Sequence, residues 1–336
     1  ATARQAIDFA LTHTPPDEKI DIGFFGGEPL LEFGLLQQFT DEIERHPAYD
    51  PKRVVLSLVS NGTIFSDEIA EYLKSRQINL GISCDGPPEV QDRYRVFADG
   101  RPSGALVERN IRRALAALPR VMVNAVYRPD TFLTLPETVE YFFDLGVRQL
   151  SLNPDFTAGW SNADLLVLPD IIERVGRIYL NRHLNDQPCF LNLIDFKVAV
   201  ILRGGYHAKE RCRMGKGEFA FSPEGNIFPC ERLIGDGSDN EHCIGNIHTG
   251  FRFEKLGCHQ APGEDVNQEC QECGIKDYCM NWCGCSNMMS TGYYNRVSPF
   301  LCASEKATIS TAFQVFQQLE EKKGATFISH LVGCES

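Results

Sequence analysis

Residues 19–29 read KIDIGFFGGEP, an apolar run that ends in two glycines. Apolar residues at helical spacing follow in LLEFGLLQQFTDEIERH, at residues 30–46, and a second apolar run, RVVLSLVSNG, occupies residues 53–62. A short β-branched run closed by glycine predicts a buried strand, and apolar residues three and four positions apart predict a helix. The order strand, helix, strand predicts a βαβ unit and therefore a parallel sheet.

The same alternation continues to residue 154. Predicted helices SDEIAEYLKSRQ, LVERNIRRALAAL and LPETVEYFFDLG separate the predicted strands INLGISCDG, RVMVNAVYRP and VRQLSLNP. Apolar strands between amphipathic helices indicate an α/β fold with a covered parallel sheet, either doubly wound or a full or partial barrel. In these folds the loops after the strands carry function, and three of them read FFGGEP, LVSNGT and GISCDGPP.

Composition limits the class of protein. A chain of 336 residues with 43% apolar content predicts two domains that fold without disulfides. The net charge of −12, without clustered Lys and Arg, argues against a nucleic-acid partner. The sequence contains no long apolar run and does not open with a signal peptide, so we expect a soluble, cytoplasmic protein without a membrane partner.

The thirteen cysteines are unevenly distributed. Only Cys84 and Cys189 precede residue 210, which predicts a barrel domain over residues 1–205 and a cysteine-rich domain over 206–336. In that second domain, Cys212 and Cys230 flank a predicted hairpin, GEFAFSPEGNIFPC, and the spacing CxxCx5CxxxC follows at residues 270–283. One CxxC pair with further thiols at irregular spacing favours iron–sulfur ligation over zinc, and an intracellular location disfavours disulfides.

This cysteine pattern resembles the SPASM domain of radical S-adenosyl-L-methionine (AdoMet) enzymes, and GGEP, SNGT and ISCDGP resemble the strand-end motifs of their barrel. The resemblance covers nearly the whole chain. It implies a partial (β/α)6 TIM-type barrel, N-terminally truncated, followed by a small domain with two auxiliary [4Fe-4S] clusters. The implied AdoMet-binding residues are Gly26, Gly27, Glu28, Pro29, Ser60, Asn61, Ser83 and Asp85.

The resemblance also implies the cluster ligands. The outer cluster would be held by Cys270, Cys273, Cys279 and Cys302, and the inner cluster by Cys212, Cys230 and Cys283. Some relatives have a fourth inner cysteine where this chain has Glu218. An open iron, the Glu218 carboxylate, or a displaced thiol such as Cys243 or Cys285 are the alternatives. Without such a role, we expect Cys243, Cys258, Cys285 and Cys334 to be ordinary thiols.

The family's CxxxCxxC motif, which holds the [4Fe-4S] cluster that cleaves AdoMet, is absent from the sequence. By resemblance it would precede Ala1, so we expect a fragment that lacks the first barrel strand and does not cleave AdoMet alone. The carboxylate of Glu28 could meet the amino group of AdoMet, or Glu28 and Pro29 could simply begin a helix.

The implied activity is that of a maturase that oxidises a precursor peptide or protein after hydrogen abstraction. Thioether or carbon–carbon crosslinking is the favoured reaction. The alternatives are an anaerobic sulfatase-maturating enzyme and a non-catalytic homologue that acts as a binding protein. Glu231 is the candidate base, or else a salt-bridge partner of Arg232 or Arg211. A flavodoxin or ferredoxin would supply electrons.

Overall fold

The computed structural model describes residues 2–207, 212, 214–234, 241–262, 267–280 and 283–324. The strands of the main sheet are β1 (Ile20–Phe24), β2 (Val54–Ser60), β3 (Asn79–Ser83), β4 (Val121–Tyr127), β5 (Gln149–Pro154) and β6 (Phe190–Leu191). The helices up to this sheet's end are α1 (Thr2–His13), α2 (Phe33–Glu44), α3 (Asp67–Ser75), α4 (Pro88–Gln91), α5 (Gly104–Ala117), α6 (Leu135–Leu145), α7 (Asn162–Leu184) and α8 (Asn192–Leu202).

The strands of this sheet are parallel and lie in the order β1-β2-β3-β4-β5-β6, so each strand pairs with its neighbour in sequence. A doubly wound sheet would reverse its strand order once. The unreversed order instead matches part of a (β/α) barrel, and among the described strands β1 and β6 form its open edges. The predicted α/β fold class is confirmed. The two-residue strand β6 was not predicted, because it is too short for a periodic pattern.

Local sequence explains where the helices begin and end. Ser66 caps α3 by accepting a hydrogen bond from the Ile69 amide, and Ser161 forms a capping box with Asp164 at the start of α7. Gly146 ends α6 in the left-handed conformation, with φ of 101°. Among the described helices, none is both long enough and apolar enough to cross a bilayer.

The two faces of the sheet differ in chemistry. In β2, Val54, Leu56 and Leu58 are buried against the helices, whereas the alternate residues are half-exposed on the other face. On that inner face the Ser57 hydroxyl donates to Asp21, 2.8 Å away. The helix-covered face therefore supplies the core, and the inner face presents polar side chains to the barrel interior.

The cysteine-rich region contains a small antiparallel sheet in the order β10-β9-β8-β7. Its strands are β7 (Ala220–Phe221), β8 (Asn226–Phe228), β9 (Gly245–Asn246) and β10 (Gly250–Phe251), and its helices are α9 (Gln268–Gln271), α10 (Gly284–Thr291) and α11 (Pro299–Lys323). The predicted hairpin is thus confirmed as β7 and β8. Phe9 of α1 contacts Phe219, Phe221 and Phe251, which attaches this sheet to the barrel.

The last described helix, α11, belongs to the barrel's hydrophobic core. It packs against α7 and α8, and Phe300, Val315 and Leu319 share one buried cluster with the barrel strands. The domain boundary after residue 205 stays a prediction. The chain crosses into the cysteine-rich region and then returns to the barrel with α11.

A buried ion pair joins α8 to α11. Lys197 Nζ donates to Glu305 Oε2 at 2.6 Å and to the Tyr278 carbonyl at 3.2 Å, and the Met280 amide donates to the same Glu305 oxygen at 2.6 Å. Both charged residues are buried. Because Tyr278 and Met280 flank Cys279, the ion pair holds one cysteine loop against the barrel.

Close packing between α7 and α11 can be tested at Gly176. A Cβ there would lie 2.3 Å from Thr311 Cγ2, so we expect Gly176→Ala to lower the free energy of unfolding by about 1–3 kcal/mol. Gly34 in α2 is the matched control, because its Cβ would meet no atom within 4 Å. Gly34→Ala should leave the free energy of unfolding unchanged or raise it by up to about 1 kcal/mol. Urea titration of both variants measures the difference. Equal stability of the two variants would contradict the packing argument.

The ion pair predicts a non-additive pattern of stability. Lys197→Met should cost about 3–5 kcal/mol, since it leaves the Glu305 carboxylate buried without its cation, whereas the double variant Lys197→Met/Glu305→Gln should cost less. Arg174→Met, which breaks an exposed pair with Glu137, is the control and should cost at most about 1 kcal/mol. A double variant that is as unstable as the sum of its single variants would refute the pairing.

Candidate cofactor and cysteine sites

The loop after β1 leaves open space at its two glycines. Gly26 has φ of +154° and is exposed, and a Cβ built on either Gly26 or Gly27 would meet no atom within 4 Å. Packing within the protein therefore does not require glycine at position 27. Open backbone at the carboxyl end of a parallel strand suits the close approach of a ligand.

Glu28 links the end of β1 to the end of β2. Its Oε1 accepts hydrogen bonds from the Leu30 amide at 3.0 Å and the Ser60 hydroxyl at 2.9 Å, and its Oε2 accepts from the Asn61 amide at 2.6 Å. Glu28 also caps the short 3₁₀ helix Pro29–Glu32, which agrees with the helix-start interpretation. Three predicted AdoMet residues, Glu28, Ser60 and Asn61, are thus brought into one network.

Asp85 belongs to a second network at the ends of β3 and β4. Its Oδ2 accepts from Arg95 Nε at 2.8 Å and its Oδ1 from the Val126 amide at 3.0 Å, while Gln91 accepts from the Asp85 amide. Both carboxylate oxygens are therefore engaged within the protein. Its contact with AdoMet, like that of the half-buried Ser83 at the end of β3, stays a prediction.

Four cysteines gather near the start of α10, and we call Cys212, Cys230, Cys283 and Cys285 the inner thiol group. The sulfurs of Cys283 and Cys285 lie 3.6 Å apart. Cys212 hydrogen-bonds to Cys283, and Cys285 hydrogen-bonds to Cys230. Hydrogen bonds from Cys212, Cys285 and Ser286 lower the pKa of Cys283, whereas those to Cys230 and Cys283 raise the pKa of Cys285. The three predicted inner ligands are together, with Cys285 added.

Two carboxylates adjoin this group. Ligand atoms of Glu218, Cys230 and Glu231 lie within 4.8 Å of one another. Glu218 is exposed overall, but partial burial of its carboxyl end and its hydrogen bond with Glu231 raise the pKa of Glu218 to about 7. Burial by itself would raise the pKa of Glu231. The hydrogen bonds from Glu218, the backbone and Cys230 outweigh burial and lower the pKa of Glu231. Glu218 therefore holds the proton and Glu231 carries the charge.

The structure gives little support to a salt bridge of Glu231 with Arg232. Arg232 Nε lies 3.9 Å from Glu231 Oε1, at the outer limit for an ion pair, and Arg211 lies outside the described residues. The Arg232 guanidinium instead lies 5.9 Å from the centre of the Phe156 ring, just beyond β5. This contact puts the loop of Glu231 beside the carboxyl end of the barrel sheet.

The outer thiol group comprises Cys270, Cys273, Cys279 and Cys302. Cys302 lies in the first turn of α11, and burial, together with the neighbouring Cys270 and Cys273, raises its pKa against the opposing charge of Lys306. Cys279 follows the 3₁₀ turn Lys276–Tyr278 and is positioned by the ion pair described above. Cys270 and Cys273 are thus near enough to Cys302 to affect its pKa, and Cys279 follows a separate turn.

The remaining cysteines divide into two kinds. Cys84, Cys189 and Cys243 are buried; Cys84 donates to the Gly86 carbonyl and Cys243 to the Gly245 carbonyl. Burial suits ordinary structural thiols, and for Cys243 that role stays a prediction. The side chain of Cys258 and the whole of Cys334 lie outside the described residues.

Several residues that shape these sites were not predicted from sequence. Arg95 and Gln91 position Asp85, and Lys197 and Glu305 position the loop of Cys279. Their partners are distant along the chain or lack a recognisable motif. The thiol-rich donor sets fit iron–sulfur ligation, since thiolates are the usual ligands of such clusters. The open glycine loop fits a bound small molecule.

The sequence has distant relatives. No protein-family model matches it. It is 28% identical over 259 residues to the uncharacterized protein MJ0907 of Methanocaldococcus jannaschii, covering 74% of this chain and 78% of that protein. It is 22% identical over 282 residues to a cysteine-type anaerobic sulfatase-maturating enzyme of Clostridium novyi, covering 80% and 74%. It is 24% identical to the radical SAM cyclopropyl synthase TigE of Paramaledivibacter caminithermalis, covering 65% and 45%.

Solved structures share the fold. Native anSMEcpe with bound AdoMet superposes with a TM-score of 0.77 at 18% identity, covering 96% of this chain and 90% of that chain. Streptococcus suis SuiB bound to precursor peptide SuiA gives a TM-score of 0.55 at 14% identity, covering 84% and 65%. The chain is thus similar in sequence to anaerobic sulfatase-maturating enzymes and to a radical SAM cyclopropyl synthase, and it shares its fold with anSMEcpe.

Proposed function

We propose that the chain provides the barrel and the auxiliary-cluster domain of a cytoplasmic AdoMet-dependent maturase, which oxidises a ribosomally made peptide or protein. The observation that carries this proposal is the inner thiol group, which meets the Glu218–Glu231 carboxyl pair beside the carboxyl end of the barrel sheet. Thiols that could hold a redox cluster, and a carboxylate that could accept a proton, suit substrate oxidation when they lie next to the end of the barrel where small molecules bind. SuiB bound to its precursor peptide is a similar protein with a peptide partner, which supports a peptide substrate here.

AdoMet and a CxxxCxxC-held cluster would together supply a 5′-deoxyadenosyl radical, and the auxiliary clusters would take up an electron. The chain's own residues would bind AdoMet and orient it. Gly26 and Gly27 would admit the ligand to the backbone, and Glu28 would fix the ends of β1 and β2 around it. The outer and inner thiol groups would each hold a four-iron cluster, reduced by a flavodoxin or ferredoxin.

Glu231 would remove the proton that oxidation releases. Forming a thioether from a C–H and an S–H removes two hydrogens. One would be abstracted as a hydrogen atom and the other would leave as a proton to Glu231, while the inner thiol group would hold the cluster that supplies an acceptor for the remaining electron. The ionised Glu231, hydrogen-bonded to a protonated Glu218, is ready to accept that proton.

Sulfatase maturation is the second candidate, because several similar proteins are anaerobic sulfatase-maturating enzymes. Co-expression with candidate precursor peptides and with a sulfatase, followed by mass spectrometry, separates the two. A crosslink removes two hydrogens and leaves no carbonyl, whereas formylglycine reacts with a hydrazide probe. A form that carries a CxxxCxxC segment and consumes no AdoMet under reducing conditions would instead indicate a binding protein.

The open loop at Gly27 makes AdoMet binding testable without disturbing the fold. Gly27→Ala should keep the melting temperature of the parent chain, because the added Cβ meets no protein atom. AdoMet binding, measured by equilibrium dialysis, should weaken by about tenfold, or roughly 1.4 kcal/mol, because the methyl group would occupy ligand space. Gly159→Ala, equally open but far from the motif in sequence, is the control. Unchanged affinity in Gly27→Ala would argue against ligand binding at this loop.

The proton acceptor can be tested in a form that also carries the CxxxCxxC segment. Glu231→Gln should still release 5′-deoxyadenosine but lower the oxidised product by about 100-fold, since general-base catalysis contributes about that much or more. Glu224→Gln changes an exposed glutamate in the neighbouring hairpin turn and should keep the parent's ratio of product to 5′-deoxyadenosine. A parental ratio in Glu231→Gln would remove Glu231 from the mechanism.

A further inference from the structure

We infer that Cys285 is the fourth thiolate ligand of the inner metal centre, together with Cys212, Cys230 and Cys283. This assignment rests on the proposed function in one respect, namely that the inner centre is an iron–sulfur cluster. It concerns the position that the sequence left open between Glu218, Cys243, Cys285 and an unliganded iron.

The contacts among the sulfurs form a continuous chain. Cys212 contacts Cys283, Cys283 lies 3.6 Å from Cys285, and Cys285 contacts Cys230. Cys285 therefore connects two predicted ligands that approach from different segments, the hairpin end and the turn before α10. A thiol kept only for packing does not need two sulfur neighbours.

The local fold forces this arrangement. Cys283 is the N-cap of α10 and Cys285 stands two residues later, with Gly284 between them. A Cβ on Gly284 would lie 2.7 Å from Met214 Cε, so glycine lets the segment that follows Cys212 pack closely on this turn. The turn thereby presents both α10 cysteines to the hairpin side.

The two other candidate residues are placed differently. Cys243 donates its S–H to the Gly245 carbonyl at 3.0 Å and makes no recorded sulfur contact within the described residues. Glu218 lies within 4.8 Å of the Cys230 sulfur, but it is exposed and hydrogen-bonds with Glu231, whereas Cys285 is 4% exposed. A buried soft thiolate suits an iron–sulfur centre better than an exposed hard carboxylate. Glu218 is thereby left beside Glu231.

Packing is the competing role for Cys285, because it lies in a small apolar cluster with Cys230, Leu233 and Tyr294. Cys285→Ala largely preserves such packing but removes the ligand, so metal content distinguishes the two roles. Cys243→Ala is the matched control, since Cys243 is 3% exposed and lies in the same region. Glu218→Gln tests the alternative ligand directly.

The experiment uses the 336-residue chain with Cys270→Ser and Cys273→Ser, which removes the outer centre from the readout. After anaerobic reconstitution with iron and sulfide, the parent of this series, Cys243→Ala and Glu218→Gln should hold about four irons per chain. Cys285→Ala should lose about one iron or more and show the electron paramagnetic resonance signal of a three-iron cluster. Circular dichroism and melting of the apo forms check that every variant folds, and Cys285→Ser provides an isosteric second variant.

Two results would overturn the assignment: parental iron content and spectra in both Cys285 variants, or iron loss in Glu218→Gln with none in Cys285→Ala. Failure of the proposed function has a different signature, in which the parent takes up about one zinc and no iron. In that case the zinc content of the same variants decides whether Cys285 is a ligand. Zinc loss in Cys285→Ala but not in Cys243→Ala supports the assignment, and retention in both overturns it.

Discussion

The buried Lys197–Glu305 ion pair is the constraint on which the relation between barrel and cysteine-rich region depends. Burying two charges costs more free energy than their attraction returns unless further hydrogen bonds complete the site. Here the Tyr278 carbonyl and the Met280 amide complete it, and both belong to the loop that carries Cys279. A shift of this loop would leave a charge unpaired in the core. The loop is therefore fixed to the barrel's helices by electrostatics rather than by its own few apolar contacts.

The same ion pair explains how the barrel positions the outer thiol group. Glu305 and Cys302 lie one turn apart on α11, which packs against α7 and α8 in the main core. The helix that supplies the last thiol is thus positioned by hydrophobic burial, and the loop that supplies Cys279 is positioned by the ion pair. A short cysteine loop of this kind has no core of its own, so it takes its geometry from the larger unit.

Sequence predicts much of this fold because the barrel repeats one pattern. Each strand, from Ile20–Phe24 to Gln149–Pro154, has apolar residues at least at alternate positions, and the helices that follow have a regular apolar face. The strand order could not be derived from the pattern, because doubly wound sheets and barrels share the same alternation. The resemblance supplied it. Contacts such as Glu28 with Ser60 or Lys197 with Glu305 join residues 32 and 108 positions apart and leave no local signal.

At the inner site, the sequence indicated which thiols and carboxylates are candidate ligands, but not which of them the fold buries. Thiols and carboxylates are interleaved along the chain, yet the fold buries two of the thiols and leaves one carboxylate exposed. Cys230 and Cys285 are withdrawn into a small apolar cluster, while Glu218 stays exposed and bonded to Glu231. Sorting of this kind follows from solvation: a neutral thiol is cheap to bury, whereas a carboxylate is costly unless it is paired or protonated. Cys230 and Cys285 therefore lie on the buried side of the site, Cys212, Cys283 and Glu231 lie between, and Glu218 lies on the exposed side.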